Sequence, residues 1–157
     1  MTHNSQIMIT GLTHLHSSFR YLALGFIILA IVDAVLGLSS GRSYKKSSKM
    51  FALFALISSH IQLVVGLLLY FLGAKGFQLM MNAEGVMKDA TMRFFAVEHI
   101  LTMIIAITLV TVGYSKAKRQ EEAKRKYRTV LIFFSIALVF IFIMIPWPFL
   151  KPFGTWI

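Results

Sequence analysis

Apolar residues dominate four long stretches of the chain, and polar or basic residues collect between them. The first apolar run is centred on Phe19 to Leu38, with a helical extension back to Leu12. The others run from Met50 to Leu72, Phe94 to Tyr114 and Thr129 to Ile145. Each is long enough to cross the roughly 30 Å hydrocarbon layer as a helix. The pattern predicts an all-α integral membrane four-helix bundle in a single transmembrane domain (helices about 12–38, 50–72, 94–114 and 129–145). The last helix should stop at Pro146-Trp147-Pro148-Phe149, because proline cannot continue a helix. Trp147 and Trp156 read as interfacial aromatics.

Composition agrees with a membrane class. Of 157 residues, 57% are hydrophobic and 14% charged, and mean hydropathy is +0.75. A soluble domain of this size is far more polar. The chain has no cysteine, which excludes disulfides, thiolate metal sites and haem attached through cysteine. No basic region followed by a small-residue cleavage site precedes the first run, so no signal peptide is expected.

The net charge of +10 lies mostly in two loops. Residues 39–49 carry four basic side chains and residues 115–128 carry seven; residues 73–93 carry three. The positive-inside rule then predicts that the first and third loops face the cytoplasm and that both termini lie outside. No stacking aromatics are interleaved with the basic residues, so nucleic acid is not an expected partner. Lipid headgroups are. No phosphate-binding glycine loop, serine nucleophile elbow or His-Glu-x-x-His motif is present.

The chemistry resides in ionisable residues inside the apolar runs, where such groups are costly and usually functional. Glu98 and His99 sit side by side, just after Arg93. His60 lies near the middle of the second run. His16 and Arg20 share a face of the first helix at i, i+4, whereas His14 points about 200° away from His16. His3 reads as a terminal side chain. Asp33 and Glu98 are candidates for proton handling, with helix packing as the alternative for Asp33. Histidines on different helices of a small apolar bundle suggest a haem b site, since neutral imidazole ligates iron. Arg20 and Arg93 are expected at the outer edge, facing propionates. Adjacency of the second and third spans favours His60 and His99 as the axial pair, with His16 as the alternative partner. Binding or transport of a metal ion such as copper or zinc is a competing reading.

The motifs His14-Leu15-His16-Ser17, Arg20-Tyr21, His60-Ile61-Gln62-Leu63 with Gly66 and Tyr70, Arg93-Phe94-Phe95-Ala96-Val97-Glu98-His99 and Pro146-Trp147-Pro148-Phe149 together resemble a small membrane protein family of Bacteroidetes labelled "cytochrome B". The likeness covers nearly the whole chain. Where that family usually has tryptophan after the arginine of the first motif, this chain has Tyr21. The resemblance implies b-haem binding and electron transfer in a bacterial inner membrane. The expected function is to carry electrons between the quinone pool and a redox partner protein or larger complex. A non-redox accessory subunit of a respiratory complex is the remaining alternative.

Overall fold

The computed structural model describes residues 3–154, and these fold as an all-α bundle built on four long helices. In chain order they are α1 (His3–Ser40), α2 (Lys46–Leu72), a short α3 (Phe77–Asn82), α4 (Ala90–Arg93), a π-helical turn (Phe94–Glu98), α5 (His99–Arg119) and α6 (Ala123–Met144). Four stretches are long and apolar enough to cross a membrane: His3–Ser40, Lys46–Asn82, Ala90–Arg119 and Ala123–Met144. Trp156 lies outside the described residues.

The helices overrun the apolar runs, α1 at both ends and the others at the ends that meet the basic loops. Helix α1 begins nine residues before Leu12 and at about 57 Å is longer than the hydrocarbon layer is thick. Hydroxyls of Thr10 and Thr13 bond back to the carbonyls of Gln6 and Ile9, and no proline interrupts the segment. The basic third loop shrinks to residues 120–122. Lysine and arginine form helix well, so α5 and α6 extend into it. At the first loop Gly41 turns the chain with φ +63°, a conformation that favours glycine.

Helix α1 packs on α2 and α6, and α5 packs on the same two, so α1 and α5 face each other across the bundle diagonal. The tight core lies towards the basic end. It comprises Ile27, Ala30 and Ala34 of α1, Ala52 and Ala55 of α2, Ala106 and Val110 of α5, and Tyr127, Val130, Phe134 and Ala137 of α6. Alanines dominate because small side chains let helices approach closely where lipid gives no hydrophobic drive. A Cβ on Gly37 would lie 2.3 Å from the ring of Tyr127, so that glycine is what seats the tyrosine. Outward positions such as Leu29, Val32, Ile57, Val64, Leu101, Ile105, Ile136 and Val139 stay exposed. They form an apolar belt around the bundle, compatible with contact to lipid.

Candidate functional site

The site lies at the end of the bundle opposite the basic loops, and it starts from how α6 ends. Pro146 pushes the preceding residue out of the helical region, and Ile145 is extended at φ −73°, ψ 129°. Helix α6 therefore stops at Met144 and leaves carbonyls without helical donors. Side chains take over. The Trp147 indole Nε1 donates to Phe142 O at 3.0 Å. His99 Nδ1 donates to Met144 O at 2.8 Å, across from α5. A carbonyl only accepts, so the His99 proton sits on Nδ1 and Nε2 keeps its lone pair. This is the arrangement in which a backbone carbonyl orients a ligating imidazole.

The π turn aims His99. The His99 N–H bonds to Phe94 O, five residues back, instead of Phe95 O. One extra residue per turn rotates everything after it by about 100° relative to a regular helix. Within the turn the Ala96 carbonyl also accepts from the Tyr70 hydroxyl of α2 at 3.1 Å. Arg93 and Glu98, five apart, meet as an ion pair with Nε to Oε1 at 2.6 Å. Such turns are frequent at functional sites, and no residue pattern in the sequence announces this one.

Opposite His99 stands His16. The two rings lie 6.3 Å apart between centroids, at 68° to one another. They reach across the diagonal from α1 and α5. His16 is positioned from α2: Gln62 Nε2 donates to the His16 carbonyl at 2.7 Å, and Gly66 gives its ring room. A Cβ on Gly66 would come within 3.0 Å of His16 Cε1. Phe94 flanks the pair, its ring 5.7 Å from that of His99. His16 Nδ1 and Gln62 Oε1 are buried without a hydrogen-bond partner, so polar capacity at the centre of the site is unused.

Arg20 joins this site from the next turn of α1, with its side chain turned into the bundle. It is buried at 8% exposure, donates to the Tyr21 hydroxyl at 3.0 Å and holds its guanidinium 5.5 Å from the Trp147 ring centre. Trp147, just past the end of α6, is likewise buried against protein, at 6% exposure. Planar guanidinium stacks well on aromatic faces. Arg93 does stand near the end of the bundle, but Glu98 and the Met87 carbonyl occupy it.

His60 is elsewhere. It is exposed on α2, bonds the Leu56 carbonyl through Nδ1 and reaches Thr111 of α5 at 3.5 Å. Thr111 is twelve residues beyond His99, or about 18 Å along the helix. The structure thus brings His16 and not His60 to His99: α2 and α5 are neighbours as expected, but their contact near His60 falls about half a membrane away. His14 is exposed, on the opposite face from His16.

Asp33 belongs to a separate network at the basic end. It pairs with Arg42, whose Nε also donates to the Tyr127 hydroxyl at 3.2 Å. That hydroxyl donates to Ser43 O and meets Ser48 Oγ, each at 3.1 Å. Asp33 therefore ties the first loop to α6, a role its neighbours in sequence did not reveal.

Comparison with family models, with curated proteins and with solved structures finds no match to this chain.

Proposed function

We propose that this protein is a membrane b-type cytochrome in which His16 and His99 are the axial pair. The single observation that carries this reading is their 6.3 Å ring separation. Two imidazoles across one metal stand roughly 6 Å apart, counting two metal–nitrogen bonds of about 2 Å and the offset of each ring centre. The hydrogen bond from His99 Nδ1 to Met144 O supports it, since it leaves Nε2 as the ligating atom. A haem would supply reversible one-electron chemistry in that position. Arg20, permanently charged and on the His16 face, would neutralise a propionate. Glu98 and Arg93 would close the end of the site as a neutral pair.

The described residues contain no group of three or more His, Cys, Asp or Glu that could hold a metal ion. A bare ion usually needs three or four protein ligands. Two imidazoles suffice when a macrocycle provides the other four nitrogens, which favours haem over a copper or zinc site.

In this reading the lipid-embedded bundle exchanges electrons between membrane quinone and a partner protein. The basic loops face the cytoplasm by the positive-inside rule, which puts the histidine pair towards the opposite side of the inner membrane.

The test is a reduced-minus-oxidised spectrum of the purified protein and of three alanine variants. The expected result is a low-spin b-type band in the wild type and in His60→Ala, lost in His16→Ala and His99→Ala. Absence of the band from the wild type refutes the cytochrome reading. Its loss in His60→Ala with retention in His16→Ala refutes the pairing.

A further inference from the structure

At the opposite end of the molecule is a cleft of about 250 Å³. Five of its lining residues are lysines: Lys45, Lys46, Lys49, Lys118 and Lys126; Tyr44 is among the others, and no carboxylate lines it. Three structural facts concentrate positive potential there. Helix α2 starts at the cleft with Lys45 at its N-cap and no side-chain cap. The first return bond is Lys49 N to Lys45 O at 3.2 Å, so the N–H groups of the first turn remain open to a ligand. Of the carboxylates at this end, Asp33 is held by Arg42 and Glu122 pairs with Arg125 at 2.9 Å, while Glu121 is exposed and does not line the cleft. Burial pushes the Tyr44 phenol up to about 12, with smaller contributions from Asp33 and the neighbouring tyrosines. The phenol thus remains a neutral hydroxyl at physiological pH.

Five lysines lining one cleft carry like charges that repel one another, and a bound anion lowers that cost. The cleft opens between the first loop, the end of α5 and the start of α6, where the apolar runs give way to basic residues. Its volume is below the range of about 300–1,000 Å³ typical of pockets that enclose a whole small ligand. It suits a headgroup whose acyl chains remain in the bilayer. From this combination we infer that the lysine cleft is a binding site for the phosphate of an anionic phospholipid. Basic pockets between spanning helices are a known recognition mode for such headgroups. The inference is independent of the haem reading.

The experiment reconstitutes the full chain in phosphatidylcholine nanodiscs containing a minor share of phosphatidylglycerol. Lipid retained after mild detergent extraction is read by native mass spectrometry. The wild type should retain phosphatidylglycerol about tenfold or more over phosphatidylcholine. The triple variant Lys46→Gln, Lys49→Gln, Lys126→Gln should lose that preference. A control, Arg119→Gln, Lys124→Gln, Arg128→Gln, removes the same charge at the same end but outside the cleft, and should keep it. Equal loss in both variants would reduce the effect to diffuse attraction and overturn the site. A second arm needs no variant: inorganic pyrophosphate is titrated against the wild type in neutral detergent and thermal stability is followed. Stabilisation by pyrophosphate without phosphatidylglycerol retention would replace the lipid with a soluble phosphate compound and overturn the assignment. No response in either arm would overturn it entirely.

Discussion

The imidazole of His99 closes the end of a helix it does not belong to. Its Nδ1–H meets the Met144 carbonyl at 2.8 Å, a carbonyl stranded because Pro146 ends α6. One hydrogen bond thereby couples the stop signal of the fourth span to the tautomer of a histidine on the third.

Substitutions at position 99 should separate that structural bond from ligation. His99→Asn places an amide N–H where Nδ1 was and removes Nε2. It should retain most of the thermal stability of the haem-free protein while abolishing the cytochrome spectrum. His99→Phe keeps the ring but leaves the Met144 carbonyl unpaired, and should cost about 1–3 kcal/mol. Unfolding in detergent, followed by circular dichroism, measures both.

Gly66→Ala probes the seat of His16. The new methyl would lie 3.0 Å from Cε1, so the ring must move by a few tenths of an ångström. Overpacking of this kind costs about 1–3 kcal/mol. The expected outcome is a modest loss of stability with lower haem content or a changed low-spin spectrum. An unchanged spectrum would mean that the ring position does not matter to the site.

Of the two arginines, Arg20 rather than Arg93 should set the redox potential of the proposed haem. Arg20 is buried beside Trp147, whereas Arg93 is neutralised by Glu98, with side-chain exposures of 35% and 36%. Arg20→Gln should lower the midpoint potential by removing a buried positive charge that opposes oxidation. Arg93→Gln should change it little and, as a half-exposed pair, cost at most about 1 kcal/mol of stability. Potentiometric titration of the two variants decides between them.

At the basic end, Gly37→Ala should be among the most damaging single substitutions. The added Cβ would fall 2.3 Å from Tyr127 Cζ, and that ring is only 1% exposed and has nowhere to go. Destabilisation of about 2 kcal/mol or more is expected. Tyr127→Phe, which removes the hydroxyl linking Arg42, Ser43 and Ser48, should cost about 1–2 kcal/mol. A smaller effect from the glycine variant than from the hydroxyl deletion would contradict this packing.

The sequence by itself determined the four spans and the all-α class. A run of about twenty apolar residues is a local, additive signal that reads the same whatever it packs against. The stop at Pro146 was legible for the same reason, since the constraint is covalent. Which histidines meet was a different kind of question. It depends on helix rotation and depth, and both are decided by contacts remote in sequence. His16 faces His99 because α1 and α5 lie diagonally, because Gly66 leaves room on α2, and because the π turn rotates α5 at its first residue. His60, adjacent in topology, falls on the outer face beside Thr111. That the Arg20 guanidinium and the Trp147 ring pack on one another, both buried in the bundle, was likewise invisible in the sequence, because 127 residues separate them. Asp33 and Arg42 are nine residues apart, but what makes them a tether is Tyr127, eighty-five residues beyond Arg42. Periodicity fixes which residues can share a face; only the packed bundle decides what that face touches.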